Sequence, residues 1–555
     1  MESHSIWASK GLEQARFQAY VKLLRLRNGG QVSDAESFIP GANDLETYQY
    51  TIAEDADSTM QAPLAYVDDD RLKRAFLDRL AELVANVRGG RHVSASLLIE
   101  SPDGVEVLVS RNSGIKNGSA DWEMLKSLEL KLQGLADSEN LVNSSERLKD
   151  SLWELLLHVY ESRIADYIHD TKQILWTIAL VPNQSANSPT LETQLLDLSS
   201  LLKQKGPGSR ESYNARAVSL SHQICYLYNQ EDFDSIIGIK NKSRSLRDSL
   251  GYLGRLCSCH RILTLAATRL AGFSQIKIVP LEVDKETKRM NALDTWTVAR
   301  AFVGLGLDLN DDNVAGIMAS ATGRTPWTKR RLLSKFADLK TTKHEVHAEV
   351  QIILSLTKRS KSRGTVFKYI GCSKLSCFLC YRFVKHYGSY STRGCHGKIY
   401  DLWTVPEVHG IPKDQAAKVI TSLKKTEQEV QFSIRNPNDN IQHTKESVLG
   451  STVVSEDVSK NFSNPYAASL AARYIRSQRP NQNKVVIEPY QAQISTVETS
   501  GDELVEPAAP ARSEGLSDEE NRECDTFFVV LVDIVVKNVR TKCLCTIFAN
   551  VLLEL

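Results

Sequence analysis

Long apolar runs are missing from this sequence. Its most apolar segment, FFVVLVDIVVKNV at 527–539, is interrupted by Asp533 and Lys537, which excludes a membrane span there. The opening MESHSIWASK has no cationic stretch followed by an apolar core, so no secretory signal is visible. An excess of charge of one sign is also missing, since the formal net charge is only +1. The HExxH pair of zinc proteases is absent too: in HEVHA the position of its second histidine is Ala348. What remains is a globular composition, 42% hydrophobic and 24% charged, in a chain of 555 residues, too long for one ordinary core. Ten cysteines in a chain without an export signal suit reduced thiols or metal ligands better than a disulfide framework, and an intracellular location is expected.

The pattern along the chain divides it into six stretches. Residues 1–65 hold one helix around 8–27 and an irregular remainder. In 66–114, Leu72, Phe76, Leu80, Leu83, Val84 and Val87 recur at helical spacing up to Gly89–Gly90. Val93, Ala95, Leu97 and Ile99 then alternate, SPDG turns the chain, and Val105, Val107 and Val109 alternate again, which predicts a β-hairpin. Residues 115–340 are mostly helical, with a strand in IKIVPLEV at 276–283. In 341–430 the elements alternate: a helix over 346–357, a strand in TVFKYIGC, a helix near Cys377 and a strand in GKIYDLW, an α/β arrangement. Residues 431–523 are polar, with an acidic, Pro/Ala/Ser-rich stretch at 503–523, and are expected to be largely disordered; 524–555 form an apolar tail.

Chemistry concentrates between 344 and 400. HEVHAEVQIILSL opens with His344, Glu345, His347 and Glu349 ahead of the apolar Val350, Ile353 and Leu354. Some 30 residues on, SCFLC places Cys377 and Cys380 three apart, on one face of a helix. In the first turn of that helix the dipole would favour the thiolates a metal requires. One imidazole and two thiolates make three ligands for tetrahedral Zn²⁺ and leave a position open, as in catalytic rather than structural sites. A closed structural site, drawing on Cys372, Cys377, Cys380 and Cys395 or His396, is the alternative. Both CSCH at 257–260 and CLC at 543–545 read as buried thiols. Residues 347 and 349 would face different ways in mid-helix, so their convergence requires an irregular first turn.

HAEVQ, YIGCSKLSCFLC and TRGCHGKIY resemble the zinc-dependent cytidine deaminase superfamily, and within it a group of nucleic-acid/nucleotide deaminases widespread in fungi. The match covers residues 344–405. The resemblance implies an α/β/α core, a mixed sheet flanked by helices, carrying a large mostly helical insertion or N-terminal region. It implies His347, Cys377 and Cys380 as zinc ligands and Glu349 as the group that moves protons between the activated water, the ring nitrogen and the departing ammonia. Where the superfamily usually has Pro before the first cysteine, this chain has Ser376. A helix–hairpin–helix core also needs a hairpin, and the nearest is at 93–109, followed by Asn112 where relatives place an Asn that holds sugar or base. Residues 115–340 would then be an insertion into one domain. By the same resemblance His396 and Lys398 join Ser376 and Asn112 as substrate-binding candidates; His344, one turn before His347, is by its spacing expected to stand beside the metal ligands.

Between Arg324 and Lys398 there are seventeen Lys or Arg against three acids, Asp338, Glu345 and Glu349. Interleaved Phe367, Tyr369, Tyr387, Tyr390, Tyr400 and Trp403 offer stacking faces. The expected partner is therefore a nucleotide or single-stranded nucleic acid, with a protein partner for the helical region as a further expectation and no membrane. The expected activity is zinc-dependent hydrolytic deamination of a nucleobase. The rival is an inactive zinc-stabilised module that binds nucleic acid or a protein, and retention of Glu349 favours catalysis.

Overall fold

The computed structural model of the chain describes residues 6–37, 68–282 and 289–436, less 8, 10, 28, 139–141, 179–189, 204–209, 291–294, 319–325, 338–341, 360–363, 389 and 407–410. The expectations for the disordered linker beyond 436 and for the apolar tail 524–555 lie outside the described residues.

Helix α1 (Gln14–Arg27) comes first. Helix α2 (Asp69–Val84) starts on the carboxylate of Asp68, which accepts from the Asp70 N–H. It stops short of Gly89, because Ala85 leaves helical geometry (φ −80°, ψ 50°) and lets the chain turn back. The hairpin β1 (Ser94–Ser101) and β2 (Gly104–Arg111) turns at Pro102–Asp103, with Ser101 opposite Gly104. Seven helices follow: α3 (Ala120–Asp137), α4 (Val142–Val159), α5 (Glu161–Trp176), α6 (Leu191–Lys203), α7 (Arg210–Leu227), α8 (Gln230–Ile237) and the long α9 (Lys240–Arg269). Strand β3 (Lys277–Pro280) leads through α10 (Thr295–Gly304), α11 (Asp311–Ile317) and α12 (Lys329–Ala337) to α13 (Ala348–Lys358). The last elements are β4 (Thr365–Val366), β5 (Tyr369–Cys372), α14 (Phe378–Tyr387), β6 (Ser391–Thr392) and α15 (Lys413–Arg435).

These six strands form one mixed sheet in the order β3-β2-β1-β5-β6, with β4 also on β1, and two short pairs, Glu36–Ser37 with Gly394–Cys395 and Arg289–Met290 with Thr342–Lys343, stand apart from it. Ala95 pairs with Cys372 and Ser96 with Gly371, antiparallel, so the hairpin and the strand before the cysteines are neighbours although the paired residues lie 277 and 275 positions apart in the chain. Strand β3 lies parallel to β2, and β6 parallel to β5. Alternation along the strands splits the core in two. Leu98, Val105, Val107, Val109 and Tyr369 face α2 and helices α3 to α9, while Ala95, Leu97, Ile99, Leu108, Ile370 and Cys372 face α1, α13, α14 and α15. The result is an α/β/α layering with the long helical region on one side.

Helix α2 lies close to the sheet. The Ser94 and Ser96 hydroxyls donate to the Ala81 and Leu77 carbonyls at 2.5 and 2.7 Å. A Cβ at Gly371 would lie 2.4 Å from the Leu77 carbonyl carbon, so only glycine permits this approach.

Two expectations for the C-terminal part need correction. GKIYDLW forms no strand: Lys398 makes an isolated bridge with Gln31 and Trp403 one with Glu345, because the segment turns at Asp401–Leu402 and its backbone is claimed by different neighbours. Helix α15 runs past residue 430 to Arg435, its buried Ala416, Val419, Leu423, Val430 and Ile434 recurring at helical spacing. No described helix is long and apolar enough to cross a membrane.

Candidate metal centre

His347 is the N-cap of α13, with extended backbone (φ −67°, ψ 154°), and α13 begins at Ala348 rather than at 346. The preceding residues pair elsewhere: the Glu345 N–H donates to the Leu402 carbonyl at 2.7 Å, and Thr404 N–H to the Glu345 carbonyl at 3.1 Å. The cap geometry allows residues 347 and 349 to turn toward one place, which two positions in regular helix would forbid. Cys377 is likewise the N-cap of α14 (φ −70°, ψ 162°), and its Sγ accepts from the Cys380 N–H at 3.3 Å.

The two helix starts meet. His347 Nδ1 lies 3.5 Å from Cys377 Sγ and 3.5 Å from Cys380 Sγ, and the ligand atoms of His347, Cys377 and Cys380 all fall within 4.8 Å of one another. Among the described residues this is the group that the structure gathers with metal-ligand geometry. Cys372 and Cys395 stand apart from it. The Cys372 thiol faces the Ile370 carbonyl, Cys395 Sγ accepts from the Gly397 N–H at 3.2 Å, and the His396 Nδ1 is taken by the Lys398 N–H at 3.0 Å. Burial pushes the Cys395 thiol up to about 12 and Cys372 well above its ordinary value. The four-ligand structural alternative is therefore not assembled.

Charge within the group is divided. Burial opposes ionisation of Cys377, yet the hydrogen bond from Cys380 and the charge of His347 outweigh it and bring the thiol down to about 6. Burial and the neighbouring Cys377 thiolate raise Cys380 well above the ordinary value. On His347 burial disfavours the imidazolium, but Cys377 wins and raises it. A divalent cation here would be held by thiolates and an imidazole, the donor set that suits Zn²⁺. Beside it, Glu349 is only 4% exposed, and its Oε2 has no hydrogen-bond partner, an orphaned buried acceptor that fits a site completed by a cation and a polar ligand.

Asn112 reaches the same place from the end of β2. Its Oδ1 accepts from the Ala348 N–H at 2.8 Å and its Nδ2 donates to the Gly90 carbonyl at 2.8 Å. The side chain thus ties the hairpin to the first turn of α13. Gln351 adds a second tie, donating to the Arg111 and Val346 carbonyls at 2.9 and 2.7 Å.

The remaining candidates are placed differently. Ser376 is buried, its N–H bonded to Gly394 and its Oγ 3.8 Å from Cys372 Sγ. The buried His396 ring lies 5.9 Å from that of Tyr400, which in turn lies 5.8 Å from His347. Lys398 accepts at its carbonyl from the Phe378 N–H at 2.8 Å. His344 is buried near Lys22 and away from the three ligands; burial first, then the charge of Lys22, pushes it down.

Trp403 has a different place from the one its sequence context suggests. It is fully buried, and its indole N–H donates to Cys380 Sγ at 3.3 Å, so it serves a sulfur and offers no face for stacking. The basic count of 324–398 also changes in three dimensions. Arg359 pairs with Glu106, Arg382 with Glu36 and Glu429, and Arg393 with Glu82, all acids outside the segment.

A family model of OTT_1508-like deaminases matches residues 346–407, the stretch that supplies His347, Glu349, Cys377, Cys380 and Trp403. No curated protein and no solved structure matches the chain.

Proposed function

We propose that this chain is a zinc-dependent hydrolytic deaminase acting on a nucleobase carried by a nucleotide or nucleic acid. Its catalytic domain would be assembled from residues 66–114 and 341–430 and interrupted by the helical region 115–340. The observation that carries the reading is the meeting of His347, Cys377 and Cys380 beside a buried carboxylate, Glu349, on the same helix start. A deaminase match over the same residues supports it.

His347, Cys377 and Cys380 would hold the metal. When bound, zinc supplies Lewis acidity that makes water a nucleophile near neutral pH. Glu349, buried and without a partner at Oε2, would take the proton of the attacking water and deliver protons to the ring nitrogen and to the leaving ammonia. Asn112 would orient the helix start, and through it Glu349, against the hairpin. The Trp403 N–H would favour the thiolate of Cys380.

The test measures zinc content and ammonia release from a panel of nucleosides, nucleotides and single-stranded oligonucleotides. One zinc per chain and release from at least one compound, both abolished by chelation and restored by Zn²⁺, is the expected result. A folded protein that takes up no zinc would refute the ligand assignment, and one that binds zinc without releasing ammonia from any of them would favour a binding module.

Trp403→Phe keeps the buried ring and removes its donor. Zinc affinity, read by competition with a chromogenic chelator, is expected to fall about 10–100-fold, the range seen when hydrogen bonds to metal ligands are lost. An unchanged affinity would show that the indole N–H does nothing for the sulfur.

A further inference from the structure

Gln18 of α1 is buried in a way that packing alone does not explain. It is fully buried on a helix whose Phe17, Tyr20, Val21 and Leu24 are buried as well. Its Nε2 donates to the Trp403 carbonyl at 2.8 Å, across 385 positions of chain, while its Oε1 has no hydrogen-bond partner. A buried amide oxygen left unbonded costs stability that a leucine of similar size would not. That cost points to a task for the N–H.

The task lies at Trp403. Its indole N–H donates to Cys380 Sγ at 3.3 Å, and its ring touches Phe17 of α1 and Phe383 of α14, with centroids 5.8 and 6.1 Å away. The backbone around it is held from two directions. On one side Glu345, two residues before His347, donates its N–H to the Leu402 carbonyl at 2.7 Å and accepts from the Thr404 N–H at 3.1 Å. In that parallel register the carbonyl of residue 403 points the opposite way, and there Gln18 meets it. Gln14 adds a bond to the Thr404 hydroxyl at 3.2 Å and Trp7 one to the Val405 carbonyl at 2.8 Å, so three successive residues are tied to the N-terminal part of the chain.

We propose that Gln18 is a positioning residue for the metal centre: by fixing the Trp403 carbonyl it sets the indole N–H on the Cys380 sulfur. The inference rests on the reading of His347, Cys377 and Cys380 as a metal site. Phe17 and Phe383 limit the tilt of the indole but leave it able to slide along their faces, and a directional N–H bond to sulfur is lost after a slide of about an ångström. The tether on the carbonyl removes that freedom. Helix α1 thereby gains a part in a site whose deaminase match begins only at residue 346.

The test reads metal binding and not turnover. Co²⁺ is titrated into the full metal-free chain and followed at the thiolate-to-cobalt charge-transfer band, for wild type, Gln18→Met, Trp403→Phe and the double variant. Gln18→Met is expected to weaken Co²⁺ binding about 10-fold, the lower end of what a partner behind the ligands contributes, and to move the band of the saturated protein to longer wavelength, as Trp403→Phe does. In the double variant the loss should equal that of Trp403→Phe alone, because the tether has nothing to position once the donor is gone. Gln14→Met removes a bond from the same helix and should leave affinity and band in place, whatever it does to thermal unfolding. Unchanged affinity and band in folded Gln18→Met overturn the proposal, and so do losses that add in the double variant. A band moved equally by Gln14→Met assigns the effect to the packing of α1 as a whole and overturns the role of Gln18. Failure of both Gln18→Met and Gln18→Leu to fold makes the residue a stability element and overturns it likewise. A wild-type protein that takes up no metal removes the metal site and this inference together. Binding that depends on Gln18, in a protein that releases no ammonia, supports the positioning role and removes the deaminase reading.

Discussion

Glu349→Gln is expected to reduce ammonia release by roughly 10²- to 10⁴-fold, the span of a positioned general acid–base, with zinc content at the wild-type level. The carboxylate sits at the second residue of α13, directly after His347 and Ala348, and is 4% exposed. A carboxamide fills the same volume and accepts hydrogen bonds, but it cannot carry a proton from water to a ring nitrogen. Because Glu349 is not among the three gathered ligands, metal content serves as an internal control. The loss should fall on kcat, with KM little changed, since the proton is moved in the transition state and not on binding. Full activity in Glu349→Gln would remove the carboxylate from the mechanism. Loss of zinc together with activity would make it a ligand instead.

Much of the arrangement around Glu349 is legible in the sequence, for a physical reason. Period-two alternation at 93–99 and 105–109 and the SPDG turn declare a hairpin, and HAE followed by CxxC declares two helix starts whose His347, Cys377 and Cys380 side chains come within 4.8 Å of one another, because each feature is local. What is not legible is set by residues far apart in the chain. Asn112 looks like an ordinary turn residue, yet it is the acceptor for the Ala348 N–H, 236 positions on. GKIYDLW has the composition of a strand, but its backbone is divided between Gln31 and Glu345, and Gln31 also donates to the His396 carbonyl from 365 positions away. Strand β6 is only two residues long, too short to leave a period. Trp403 reads as an exposed stacking face because nothing in its neighbours reveals that Cys380 needs a donor. The dense run of cations in 324–398 overstates the local field for the same reason, since Arg359, Arg382 and Arg393 find their acids elsewhere.

Arg393 leads to the variant with the largest expected cost in stability, Glu82→Gln. Glu82 is 4% exposed and is the carboxylate on which Arg79, Arg255 and Arg393 converge. Arg79 is on the same helix, Arg255 comes from the helical region and Arg393 from the segment after β6, so one side chain joins three parts of the fold. Gln retains the shape and removes the charge, taking from three guanidinium groups the carboxylate they share, while Arg393 keeps the nearby Asp78. Breaking a buried ion pair from one side costs about 3–5 kcal/mol, and urea unfolding at pH 7 should show a loss of that size. The pH dependence gives a second reading. Burial opposes ionisation of Glu82, but the charges of Arg255, Arg79 and Arg393 prevail and hold it at about 2, below the ordinary 4.5. A depressed folded value means that the stabilisation is fully present above pH 4.5 and is lost as pH falls from there toward 2. Asp78, one turn earlier, runs the other way: burial raises it to about 6 from 3.8, so its contribution fades as pH rises through 6. Glu82 is one of the charges that raise Asp78, so its removal eases ionisation of Asp78 and offsets part of the loss near pH 7, while the part of the gap due to Glu82 itself closes as pH falls from 4.5 toward 2. A gap that persists unchanged at low pH would mean that the packing of Glu82, and not its charge, holds the three parts together.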